Sequence, residues 1–93
     1  MALLFEWDPK KARGNVKKHS VTFDEASTAF QDIMSITISD PAHSKDEERF
    51  VLLGCSHQNR LLVVVHTERR DCIRIISARA ATGKEKLRYE ESA

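Results

Sequence analysis

Nine side chains in this sequence put cations, a carboxylate and imidazoles where the local pattern marks the ends of structural elements: Lys17, Lys18 and His19, then His66, Glu68 and Arg69, then Arg74, Arg79 and Lys84. Ends of elements are where sites concentrate. These residue types suit cleavage of RNA without a metal ion. That chemistry needs a base for the 2′-hydroxyl, cations to neutralise the phosphorane, and an acid for the departing 5′-oxygen. Histidine can fill either proton role near neutral pH, since its unperturbed pKa is ~6.5. The candidate catalytic groups are accordingly His66, Arg79, Lys18, His19 and Glu68, with Lys17, Arg69, Arg74 and Lys84 as candidate substrate-binding groups.

Each has a purely structural alternative. His66 follows Val63-Val64-Val65 and can be a strand-end histidine bonded to backbone; His19 can simply be a cation favoured at a helix C-terminus. A three-residue loop between the last two strands would set His66 opposite Arg74, and another loop length would break that pair. Arg79 closes the last strand just before a helix whose N-terminus, with Lys84, favours an anion.

Other chemistries find little support. The sequence holds three glycines and no glycine-rich phosphate loop, GxSxG or HExxH motif, so no cofactor is expected. His43 with Asp46, Glu47 and Glu48 reads as a solvated turn rather than a metal site. Cys55 and Cys72 stand alone in apolar runs and read as buried, reduced thiols.

The elements that must position these residues follow from periodicity and caps. Ala2 to Trp7 reads as a strand that stops at Asp8-Pro9, a capping aspartate followed by a first-position proline, and the basic helix Pro9 to His19 follows. That helix has only Ala12 and Val16 as an apolar pair and contains Gly14, which costs ~1 kcal/mol relative to alanine. Thr22 and Glu25 form a capping box for a second helix, with Val21 and Ala26 as a staple and Phe23, Ala26, Phe30 and Ile33 on one face. Met34 to Ser39 alternates as a half-buried strand, and Ala42 to Glu48 is a polar loop. Three strands come next: Arg49 to Cys55, Leu61 to Thr67 and Cys72 to Arg79, joined by turns at His57-Gln58-Asn59 and Arg69-Arg70-Asp71. Thr82 and Glu85 open a short charged helix through Leu87 and Tyr89. The order β-α-α-β-β-β-β-α predicts one α+β domain over residues 1–93, an antiparallel sheet packed against helices.

Charge is segmented. Residues 1–19 carry five basic against two acidic groups, 20–50 two against seven, and 51–93 eight against five, for a net charge of +1. Folding the two ends together would give a basic face for a polyphosphate, although solvated helix faces are an equal reading. No stretch approaches the ~20 apolar residues of a membrane span, and the N-terminus lacks the features of a signal peptide. A cytoplasmic protein with no membrane partner is expected.

The pieces Phe5-Glu6-Trp7-Asp8-Pro9-Lys10, Lys18-His19 with Val21-Thr22-Phe23-Asp24-Glu25-Ala26, Glu48-Arg49-Phe50, and Ile75-Ile76-Ser77-Ala78-Arg79 with Ala81-Thr82 and Glu85 resemble the BrnT family of toxins in order and spacing. The resemblance covers nearly the whole chain. It implies a RelE-like ribonuclease that blocks translation by cutting RNA and is neutralised by a cognate BrnA antitoxin. It further implies a complex of two toxins and two antitoxins that binds operator DNA through the antitoxin. The family pattern transfers to Lys18-His19 and to Arg79; His66, Glu68 and Arg69 rest on the chemical argument alone. Gly14 departs from the alanine-like residue expected there, which bears on helix stability rather than on activity.

Two other readings compete. Pro9 to His19 and Thr22 to Gln31, joined by Ser20-Val21, resemble a DNA-binding helix-turn-helix, but the second helix carries Asp24 and Glu25 and no Lys or Arg, which suits a major groove poorly. A non-catalytic protein docking an acidic peptide on a basic face is the third.

Overall fold

The computed structural model describes residues 3–41 and 47–92. Its element order is β1 Leu4–Glu6, α1 Pro9–His19, α2 Phe23–Thr28, a 3-10 turn Ala29–Gln31, β2 Ile36–Ser39, β3 Arg49–Cys55, β4 Leu61–Arg69, β5 Cys72–Ala80 and α3 Gly83–Glu91. This is the α+β order expected from the sequence. Ala2, His43 and Asp46, which the sequence assigned to a strand and a polar loop, lie outside the described residues.

Caps fix the helix starts. Asp8 accepts from the Lys10 N–H at 2.9 Å, and Pro9 takes the first position, where its missing N–H costs nothing. Helix α1 ends at Ser20, which adopts a left-handed φ of 58°. Thr22 caps α2 by accepting from Glu25 N–H, but only half of the expected capping box forms, because the Glu25 carboxylate points elsewhere. The complete box is in α3, where Thr82 and Glu85 exchange both bonds.

The five strands order as β1-β5-β4-β3-β2. Consecutive strands from β2 to β5 are antiparallel, and β1 joins parallel to β5. One face receives α2 and the 3-10 turn: Val21, Phe23, Ala26 and Ala29 pack on Leu52, Leu62, Val64, Ile75 and Ala78. Burying each large side chain there stabilises the fold by ~1.5–3 kcal/mol. Gly54 makes this approach possible, since a Cβ at that position would meet the Ala29 carbonyl at 2.8 Å. The helix tightens to 3-10 and stops at Gln31, so Ile33, expected on the buried face, is 95% exposed.

The opposite face carries Ile36, Ile38, Val51, Leu53 and Val63, which with Glu85 and Arg88 of α3 line a cavity of about 70 Å³. Helix α3 buries no residue. Polar anchors hold it: Glu85 on Arg79, and the Tyr89 hydroxyl donating to Asp32 at 2.5 Å. The two cysteines are free and half-buried rather than fully buried. No described helix is long and apolar enough to cross a membrane.

Candidate active site

Asn15 is the one buried side chain of α1. Its Nδ2 donates to the carbonyls of Val21 at 2.9 Å and Ala78 at 2.8 Å, while its Oδ1 accepts from the Ala78 N–H at 3.1 Å. Strand β1 pairs only with residues Cys72 to Arg74, leaving the outer edge of β5 open at Ala78. Asn15 therefore fills the place of a strand residue, satisfying both backbone groups of Ala78 with one amide. This clasp ties α1 to β5. Lys18 and His19, three and four residues on, share a helix flank with Asn15, and Arg79 follows Ala78 directly. Lys17, Lys18 and His19 are all exposed in the last turn, where the helix dipole favours cations.

Arg79 stands across from Val63, on the face opposite α2. Its guanidinium grips Glu85 with two parallel bonds of 2.8 Å and also donates to the Ala80 carbonyl at 3.2 Å. Glu85 accepts in addition from the Thr82 N–H at 2.8 Å. Arg79 beside it holds the Glu85 carboxyl down at about 2, and the same pairing raises Arg79. An anion does occupy the start of α3, as the sequence suggested, but it is the chain's own carboxylate. Lys84 is exposed in the same turn.

His66 is placed differently from expectation. It is 1% exposed, its ring edge-on to Phe30 with centroids 4.8 Å apart and stacked on Phe50 at 5.8 Å. Nδ1 lies 3.3 Å from the Val64 carbonyl, and burial pushes the pKa down from the ordinary histidine value. It does not face Arg74. The turn has two residues, Arg70 with φ 54° and Asp71, so His66 pairs with Ile75 and Thr67 with Arg74; a bulge between Val65 and His66 then shifts the register of the pairs beyond. His66 is a core residue.

Glu68, Arg69 and Arg74 lie toward the other end of the sheet. Arg74 bonds Glu6 at 2.6 Å; Arg69 bonds Glu47 at 2.7 and 3.2 Å and lies 3.9 Å from Glu6. Both carboxylates are held below their usual range by these arginines. Between Arg74's partner Thr67 and Arg79's partner Val63 run four residues of β4, about 13 Å. Arg69, Arg74 and Arg79 share one sheet face, yet the nine residues form no single cluster. Glu47, assigned to a solvated turn, is instead an ion-pair partner, and Glu48 accepts from Ser39.

The sequence reading missed two features. Asn15 carried a faint signal, a neutral polar residue three positions after Ala12 on the helix's less charged side. Glu25 looked like a capping residue, but it is 3% exposed and receives Arg60 Nε at 2.9 Å, Arg60 Nη2 and the Ser56 hydroxyl at 2.7 Å. Arg60 Nη2 also reaches the Ser20 carbonyl at 3.1 Å, bracing the end of α1. These contacts also count against a helix-turn-helix: α2 has six residues, and Phe23, Glu25 and Ala26 are buried, leaving no face for a groove.

The family model for the ribonuclease toxin BrnT of type II toxin-antitoxin systems matches residues 7–85. The chain belongs to the BrnT family. As a BrnT toxin it is a ribonuclease of a type II toxin-antitoxin system, and membership implies an antitoxin partner. Among solved structures, the crystal structure of the Brucella abortus ribonuclease toxin BrnT matches with a TM-score of 0.64 at 19% identity, covering 87% of this chain and 99% of that one. The likeness shows a shared fold. No curated protein matches the chain in sequence.

Proposed function

We propose that this BrnT protein inhibits translation in the cytoplasm by cutting RNA without a metal ion, at the corner where α1, the end of β5 and the start of α3 meet. One observation carries the reading: the Asn15 clasp ties Lys18 and His19 to the strand segment that bears Arg79, whose guanidinium already grips an oxyanion in bidentate fashion. A phosphate offers the same two-oxygen edge as a carboxylate. In the reaction the RNA 2′-oxygen attacks phosphorus and forms a 2′,3′-cyclic phosphate, and the bond to the 5′-oxygen breaks. His19 and Lys18 move the proton from the 2′-oxygen to the departing 5′-oxygen. Arg79, with Lys17 and Lys84, stabilises the charge that builds on the phosphorane, the role that preorganised cations perform best.

Arg74 and Arg69, on the same sheet face about 13 and about 20 Å away along the strands, hold flanking nucleotides. His66 and Glu68 take no part, the first being buried and the second lying beyond the corner. Neutralisation falls to a BrnA-like antitoxin in a complex of two toxins and two antitoxins, which binds operator DNA through the antitoxin.

The test incubates the purified chain with RNA in excess EDTA beside Arg79→Ala. The expected result is cleavage leaving 2′,3′-cyclic phosphate and 5′-hydroxyl ends with the parent alone. Cleavage that EDTA abolishes, or that Arg79→Ala retains, would overturn the mechanism.

A further inference from the structure

Four arginines of the sheet and its turns, Arg60, Arg69, Arg74 and Arg79, are tied to carboxylates. Helix α1 differs. It holds Lys10, Lys11, Arg13, Lys17 and Lys18 in eleven residues with no acid among them, all five are exposed, and none of their side chains makes an ion pair or hydrogen bond among the described residues.

Their arrangement follows from 100° per residue. With Asn15 pointing to the sheet, Lys10, Arg13 and Lys17 form a stripe on the far side, about 10 Å long. Lys11 and Lys18 form a second stripe beside it. Gly14 lies between the two, and a Cβ built there meets nothing within 4 Å. Glycine in a helix interior is unfavourable and packing does not demand it here, so the position leaves bare backbone in the middle of five cations.

We infer that the part of this face formed by Lys10, Lys11 and Arg13 around Gly14 is a track for the sugar-phosphate backbone of RNA that leads toward the cleavage corner at Lys17 and Lys18; its cations neutralise phosphates and Gly14 lets the strand close in. The inference rests on the ribonuclease reading above. An acidic segment of the antitoxin is the rival occupant. A protein interface needs a desolvated apolar or aromatic anchor near its centre, and the two stripes carry none; the hollow lined by Trp7, Ala12, Val16 and Phe23 adjoins the face only at its edge, at Arg13. Phosphate binding needs only cations with access to the chain, since counterion release supplies the affinity.

The test measures binding of a labelled single-stranded RNA across a salt series in an Arg79→Ala background, so that nothing is cut. Replacing Lys10, Lys11 and Arg13 together by Gln is expected to weaken binding at least tenfold and to lower the slope of log K against log salt by about 2, at about 0.7 per phosphate contact. Gly14→Ala gives a second readout with opposite signs: a higher Tm and RNA binding weakened severalfold. Unchanged affinity and slope in the folded triple variant overturn the track. So does a variant that binds RNA as before but has lost the antitoxin, which would hand this face to the protein partner. Because binding is read with cleavage silenced, these failures are distinct from failure of the parent to cut RNA, which counts against the underlying reading.

Discussion

The body of the molecule and helix α1 handle charge in opposite ways. In the body, formed by the sheet with α2, Glu25 is 3% exposed and fully bonded, and His66 is 1% exposed with its charged form disfavoured. Helix α3 buries nothing, and α1 buries only Asn15, yet α1 carries five cations whose side chains have no partner among the described residues. A charge without a partner is costly in the interior and nearly free in water. The body thus pairs its buried carboxylate internally and supplies stability, while α1 keeps its cations available to a ligand.

The comparison breaks first at Glu25. Arg60→Ala leaves that carboxylate with Ser56 and no cation, and should cost about 3 kcal/mol, the low end for breaking a buried pair because Arg60 is itself 38% exposed. The sign with pH is definite. Glu25 is lowered in the folded parent, so its contribution is present above the ordinary value of 4.5 and is lost on acidification; the deficit of the variant should shrink below that pH. Urea titrations at neutral and acid pH check both points.

Asn15→Ala tests the hinge between body and flank. Three hydrogen bonds disappear, worth about 2 kcal/mol net because water can reach part of the opened edge. Cleavage should fall at least tenfold under conditions where the variant remains folded, because Lys18 and His19 lose their tie to β5. Stability loss with undiminished cleavage would show that the clasp does not position the site.

His66→Phe sharpens the comparison through pH. A buried histidine with a lowered pKa gives stability that is complete above its ordinary value of 6.5 and falls as the pH drops below it, since the unfolded chain then binds the proton more readily. The parent should lose up to ~1.4 kcal/mol per pH unit there from this group, and the variant should lack that slope. At neutral pH the ring replacement itself should cost under ~1.5 kcal/mol. The smallest effect belongs to Glu85→Gln. Its ion pair with Arg79 is part-exposed, so stability should fall by no more than ~1 kcal/mol, while RNA binding strengthens severalfold as Arg79 is released. With Glu85 held at about 2, the parent's pair persists at every working pH.

Much of this was legible from local chemistry. Asp8-Pro9, Thr22 and Thr82 mark helix starts because caps depend on neighbours a few residues away, and the apolar runs at Arg49–Cys55, Leu61–Thr67 and Cys72–Arg79 declare strands, the last two of which extend to Arg69 and Ala80. What escaped depends on distant partners or on a single residue of register. The two-residue turn, in place of three, moved His66 away from Arg74. A glutamate three residues after a capping threonine looks the same whether its carboxylate turns back to the backbone, as in Glu85, or reaches Arg60, as in Glu25. Asn15 gains its meaning only from Ala78, which lies 63 positions away. At the site, Lys17, Lys18, His19, Arg79 and Lys84 were legible as a basic set at element ends, whereas the ion-pair partners that occupy Arg69, Arg74 and Arg79 were not.

The most direct test sets a body residue against a flank residue in one assay: parent, His66→Phe and Arg79→Ala, each shown to be folded, incubated with the same RNA in excess EDTA. The account predicts cleavage by the parent and by His66→Phe, and none by Arg79→Ala. Loss of cleavage in folded His66→Phe, with cleavage retained by Arg79→Ala, would contradict it.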